Sequence, residues 1–175
     1  MNWEYKSLLP ADFSPSARVW VYQASRLFTI SEVLHIEGML SAFIRSWQSH
    51  GAAVEGFATL FFGRFVVLMA DEAVIGVSGC STDSSVRVVK AMEAETGVPL
   101  FDRQMLAFVR DDKVELLPLG QLAYAWQNGF IGPDTIFFDN TVATKKELEE
   151  RWMVPVGKSW LQARLGKEVM ARPSR

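Results

Sequence analysis

The chain has one cysteine, Cys80, and it stands in the stretch GVSGCSTDSSVRVV, Gly76 to Val89, among residues suited to nucleophilic or anion-binding chemistry. Ser81, Thr82, Ser84 and Ser85 crowd hydroxyl groups around it. If Ser81 or Thr82 caps a helix over Asp83 to Glu95, Cys80 falls just outside a helix N-terminus. Unpaired amides and the macrodipole favour a thiolate there. The same amides and hydroxyls suit a small anion such as a phosphate or carboxylate. Against both, Asp83 in the first turn already supplies the negative charge the dipole favours. A purely structural reading is also complete: glycines 76 and 79 allow close approach, a Ser or Thr caps, and the cysteine fills a small gap. Thiol catalysis further needs a base, and His35 and His50 are the two histidines the chain offers.

A second constellation is Asp102-Arg103 in PLFDRQ, which enters an apolar run. A half-buried ion pair there either orients a ligand or fixes a strand edge. The candidate ligand-binding set is therefore Cys80, Ser81, Thr82, Ser84, Ser85, Asp102 and Arg103, with Cys80 as the catalytic candidate. Other chemistries are excluded by pattern. A phosphate loop needs Gly-x-x-x-x-Gly-Lys-[Ser/Thr], and Gly76 to Ser85 lacks the lysine; the dinucleotide pattern Gly-x-Gly-x-x-Gly is also missing. Glu32-x-x-His35 has the spacing of carboxylate-bridged metal sites, but such sites need two copies and further carboxylates. No metal and no cofactor is expected. The remaining carboxylates, Asp71-Glu72, Asp111-Asp112, Asp134 and Asp139, fall where turns are predicted and read as solvated.

The elements that would position these residues belong to a packed protein: 175 residues, 49% of them hydrophobic and 22% charged, with twelve Phe and six Trp. So heavy an aromatic load can extend into an interface. A single cysteine excludes an internal disulfide framework, which fits a reducing, cytoplasmic setting. Neither a leader-like segment nor a membrane-spanning run is read, and no membrane partner is expected. From Lys158 onward five basic residues face one acidic one, so the rest of the chain, net charge −2 overall, is negative. That balance argues against nucleic acid as a partner.

Residues 1–17, with Pro10 and Pro15, read as an arm whose Trp3, Leu8, Leu9 and Phe13 can pack on a body. Arg18 to Ser25 alternates as a strand. Thr29-Ile30-Ser31-Glu32 has capping-box form, and Val33, Ile36, Leu40, Phe43, Ile44 and Trp47 follow at helical spacing, predicting a helix over 30–49 that stops at His50-Gly51. Apolar runs at 53–62 and 65–70 flank Gly63-Arg64, a turn or bulge. After the helix over 83–95 come a strand over 101–110, a hairpin turn at Asp111-Asp112, a strand over 113–117, a short helix over 120–128 and an extended segment over 135–139. A helix opened by Thr144 runs to about Trp152, and residues 161–175 read as a basic, frayed tail. One α+β domain over 18–160 results, mainly antiparallel sheet with helices packed on one face. The front half also matches a ferredoxin-like β-α-β-β-α-β core with C-terminal additions.

The pieces WVYQASR, FVVLMADE, GVSGCSTDSSV, GVPLFDR and PDTIFF, with TKKELE and the later Trp, resemble a family of small bacterial proteins of uncharacterised activity. Gly-Cys-Ser-x-Asp-x-Ser-Val and Leu-Phe-Asp-Arg carry most of the similarity, which spans about Val19 to Trp160. Members often bear the label "ABC transporter ATPase". This chain lacks both the phosphate loop and the Leu-Ser-Gly-Gly-Gln signature that the label would require. The resemblance implies a bacterial cytosolic protein and transfers no catalytic residue. The expectation is thus a non-catalytic protein that binds a small anion or a protein partner at the helix start near Cys80. A thiol enzyme using Cys80, or a self-associating structural protein, are the alternatives.

Overall fold

A computed structural model describes residues 2–49, 52–71 and 79–170. The first helix, expected over 30–49, ends at Ser46, where Trp47 turns into extended backbone and Gln48–Ser49 pairs as a strand. The stop expected at His50-Gly51, the turn at Gly76, and Arg172 and Arg175 of the tail lie outside the described residues, as do the side chains of Cys80, Ser81 and Thr82. Where the sequence suggests one body over 18–160, the chain divides into two compact units. The first comprises Asn2–Asp102 with Asn140–Glu149, and the second Arg103–Asp139 with Glu150–Arg175.

The first unit is built on an antiparallel sheet of β1 (Arg18–Gln23), β4 (Glu55–Phe61) and β5 (Phe65–Asp71), in the order β1-β5-β4. A two-stranded ribbon, β2 (Gln48–Ser49) with β3 (Ala52–Ala53), stands apart from it. β5 is central, so both of its faces are covered; this is why Phe65 to Ala70 is an unbroken apolar run rather than an alternating one. On one face Trp20, Tyr22, Ala58, Leu60, Val66 and Leu68 meet the helices α1 (Ile30–Ser46) and α2 (Gly79–Thr96). On the other, the strand register places Val19, Val21, Phe61, Phe65, Val67 and Met69.

The N-terminal arm packs as its apolar residues suggest. Tyr5, Leu9 and Phe13 are buried, although Leu8 is exposed. The Tyr5 ring stands edge-on to Phe61, its hydroxyl donates to the Leu148 carbonyl at 2.6 Å, and Ser14 N–H donates to Asp71 Oδ2 at 2.6 Å. Burial, with Glu149 and Glu4 nearby, pushes the Tyr5 phenol well above its ordinary range. Lys145, buried, donates from Nζ to the Phe13 carbonyl at 3.0 Å and lies 3.9 Å from Glu149.

The hairpin between β4 and β5 turns through Phe62 (φ 53°) and Gly63 (φ 62°), closed by Arg64 N–H to the Phe61 carbonyl at 3.0 Å. Two successive left-handed residues match the strand twist. Glycine takes this conformation freely and phenylalanine at a cost. The Phe62 ring has packing in return, standing against Trp3, Tyr5, Phe61 and Phe65.

The β-α-β-β-α order expected of the front half is present, in the strand order β1-β5-β4. The next strand, β6 (Met105–Arg110), does not complete a ferredoxin-like sheet beside β1. It pairs instead with β7 (Lys113–Pro118) and β8 (Ile136–Phe138), and β9 (Met153–Pro155) closes a second antiparallel sheet in the order β7-β6-β8-β9. The free edge of β1 is met by the segment after β8: Ala143 accepts from Val19 N–H, Thr144 bridges Arg18, and Asn140 Nδ2 donates to Gln23 Oε1 at 2.8 Å. α4 (Lys145–Arg151) follows directly, with Glu147 N–H on the Thr144 hydroxyl as the sequence predicts.

In the second unit, α3 (Leu122–Gln127) and α5 (Trp160–Met170) pack with the sheet around Leu106, Phe108, Phe137, Val154 and Val156. The expectation of a frayed tail from residue 161 is corrected here. Leu161 and Leu165, four residues apart on α5, are buried in this core. The whole is an α+β fold with antiparallel sheets, as expected. No described helix is long and apolar enough to cross a membrane.

Candidate functional site

The structure separates the residues that sequence reasoning grouped as a site. α2 begins at Gly79, so Cys80, Ser81 and Thr82 lie within its first turn instead of preceding or capping it, and Asp83 falls outside that turn. Ser85 is fully buried, and the Ser84 hydroxyl accepts from Arg87 Nη2 at 3.0 Å. Asp102 and Arg103 do not enter a strand half-buried. β6 starts at Met105 and both residues are exposed ahead of it.

The helix start and the segment leading to Asp102 also stand at opposite ends of α2. Glu93, near its C-terminal end, accepts from Leu100 N–H at 2.5 Å, and Phe101 stands edge-on to Tyr22 at 5.2 Å. Eighteen residues make α2 about 27 Å long, which is the scale of the separation between Cys80 and the segment leading to Asp102. His35 is equally distant from the cysteine. Its Nε2 contacts Glu95 Oε2, which sets the second turn of α1 against the last turn of α2. His35 is therefore not placed to serve Cys80 as a base, and His50 lies outside the described residues.

Glu32 and His35 do not form the start of a metal site either. Glu32 is used locally: its carboxylate takes Thr29 N–H at 2.7 Å and both Nη atoms of Arg26 at 2.8 Å, while Thr29 Oγ1 accepts from Glu32 N–H. Both halves of the capping box are thus present. These bonds, Arg26 first, hold the Glu32 carboxyl down to about 2 and raise Arg26 in turn. Among the described residues no three His, Cys, Asp or Glu side chains gather closely enough to hold a metal ion.

Three buried polar groups were missed as such, the first being Asp71, read as a solvated turn residue but buried at the end of β5, where its Oδ2 accepts from Ser14 N–H. Asp139, read as a solvated turn residue, is buried; Arg151 Nη1 reaches its Oδ2 at 2.5 Å and Trp160 Nε1 its Oδ1 at 3.2 Å. It joins the end of β8 to the end of α4 and the start of α5, a structural clamp. Arg64, in the β4–β5 turn, is 7% exposed, and its Nη1 donates to the Ala24 carbonyl at 3.1 Å. Its Nε is buried without a partner, and burial lowers its affinity for its proton. A lone arginine within an otherwise apolar run was the available signal.

Internal packing leaves unexplained the exposed stacked pair Tyr124 and Phe130 of the second unit, and also the outer face of α1. Its inner stripe, Val33, Ile36, Leu40 and Phe43, packs with the sheet and α2, and Phe28 joins Val33 there as a hydrophobic staple. Ile30 and Leu34 point the other way, 82% and 66% exposed, and Leu27 just before the cap is 49% exposed. One turn on, Gly38 leaves open space: a Cβ added there would meet nothing within 4 Å. Ser41 and Ala42 continue the exposed face with small side chains. Large apolar groups at one end and small groups at the other make a surface of knobs and a notch on one helix. Adjacent exposed apolar side chains of this size mark interaction surfaces more than isolated ones do. The chain matches no family model, no curated protein and no solved structure.

Proposed function

We propose that the chain is a non-catalytic protein-interaction module whose binding face is the outer surface of α1. The observation that carries this reading is the exposure of Ile30 and Leu34, four residues apart on a helix whose core-facing stripe is already complete without them. Water does not favour two such side chains, each of which would contribute about 1.5–3 kcal/mol on full burial. Docking against a partner accounts for them. The placing of the described residues supports the non-catalytic part: Cys80 is in the first turn of α2, whereas His35, on α1, contacts Glu95 in the last turn of α2. The reading of a small anion bound at the start of α2 gains nothing from Ser84 and Ser85, one engaged by Arg87 and the other buried.

The test is a photo-reactive benzophenone side chain placed in the living cell at position 34 of α1 or at position 87 of α2. A discrete adduct from position 34 with none from position 87 is expected. No adduct from either, or equal adducts from both, would remove the reading.

A further inference from the structure

Of the two buried cations among the described residues, Lys145 has the Glu149 carboxylate 3.9 Å away and Arg64 has none beside it. Arginine keeps its proton in a protein, so Arg64 is a charge held away from water without a counter-ion. Arg26, close by in β1's exit, shows the ordinary arrangement: exposed, and paired with Glu32. The β4–β5 turn itself does not call for a cation. Backbone groups close it, Arg64 N–H on the Phe61 carbonyl and Ala24 N–H on the Arg64 carbonyl, and Phe61, Phe62 and Phe65 surround the position in sequence. An apolar side chain would serve the turn without burying a charge.

The guanidinium is held in one orientation. Its Nη1 donates to the Ala24 carbonyl at 3.1 Å, while the Arg64 carbonyl accepts from Ala24 N–H at 2.9 Å, so side chain and main chain grip the same residue. The opposite edge, Nε and Nη2, is left as two parallel N–H donors with no acceptor among the described residues. Two oxygens of one oxyanion fit such a fork. We propose that the Nε–Nη2 edge of Arg64 is the binding site of a small carboxylate. One carboxylate neutralises one guanidinium, whereas a phosphate dianion would leave a second charge to be buried. Entry is at the exposed segment 25–27. Ser25 directly follows the carbonyl that Arg64 grips, and Leu27 lies over the turn, its Cδ2 3.7 Å from where a Cβ on Gly63 would be. Because Nε is shielded from solvent, the carboxylate reaches it as this segment yields.

The test is a titration of the whole chain with acetate at constant pH and ionic strength, followed through the arginine Nε–H resonances. The Arg64 resonance is identified as the one lost in Arg64→Lys. It should move downfield and saturate with a midpoint between about 0.1 and 10 mM, the range for a ligand of so few atoms, while the other arginines stay in place. Phosphate should bind at least ~10-fold more weakly. Line broadening of labelled acetate should fall at least ~10-fold with Arg64→Met, which removes the charge at similar length, and with Arg64→Lys, which keeps the charge and loses the fork. The lysine variant serves if the methionine variant does not fold. An Arg64 Nε–H unmoved at about 100 mM acetate, or acetate bound equally well by the folded variants, overturns the site. A response to phosphate in place of acetate overturns the carboxylate assignment. The outer face of α1 enters none of these readouts, so the docking reading stands or falls separately.

Discussion

α1 and α2 lie on the same face of the first unit's sheet and bury equivalent stripes there, Ile36 and Leu40 from one helix, Val89 and Met92 from the other. Outward they differ. α2 turns Asp83, Arg87 and Lys90 to solvent, the charged face of an ordinary surface helix, whereas α1 turns out Ile30, Leu34 and an open glycine. Since the inner packing is of one kind, the outer difference is not a by-product of the core. On the proposed reading, the interaction surface is on α1 and α2 has the role of support.

The comparison is broken first at the inner faces, where the helices should behave alike. Ile36→Ala or Leu40→Ala in α1, and Met92→Ala in α2, should each cost about 2–5 kcal/mol in urea denaturation. A loss confined to one helix would show that they do not share one core. Next come the outer faces, where behaviour should diverge. Ile30→Asp should leave the urea midpoint nearly unchanged, within about 0.5 kcal/mol, yet abolish association, while Arg87→Ala should alter neither. Association lost equally in both variants would erase the distinction.

Helix starts provide a finer test. Thr29→Ala removes the α1 cap and should cost about 1 kcal/mol, read as a lower thermal midpoint. Gly38→Ala should raise that midpoint by an amount equivalent to at most about 1 kcal/mol, because nothing surrounds the added methyl. The smallest effect is on pH. Glu32 titrates near 2 when folded against an ordinary value of 4.5, so the stability it adds is complete above pH 4.5 and is lost as pH falls through 2. Amide exchange at Thr29 should quicken over that acid window, and Glu32→Gln should remove the pH dependence there.

Much of α1 was readable because its determinants are local. Thr29, Ser31 and Glu32 mark the start, and the 3.6-residue stripe marks the inner face. Its end was not. The helix stops at Ser46 because Trp47 turns into extended backbone and buries itself under Gly56, where an added Cβ would lie 2.7 Å from the indole. That is a tertiary contact which no nearby residue announces. Long-range pairing likewise decided the sheets: nothing within Met105–Arg110 says that it joins β7 and β8 instead of lying beside β1. Asp139 was legible only together with Trp160, and the basic residues around Leu161 and Leu165 masked the apolar pair that makes α5 part of the core. The site grouping around Cys80 failed for a geometric reason, since nearness in sequence to either end of a helix does not bring those ends together. Ile30 and Leu34 were in view throughout, an apolar i, i+4 pair off the main stripe.

The most direct measurement is photo-crosslinking from the two outer faces. A benzophenone side chain at position 34 of α1 should give a discrete adduct in the cell, and one at position 87, on the charged face of α2, should give none. No adduct from position 34, or equal adducts from both positions, would contradict the placing of the interaction surface on α1.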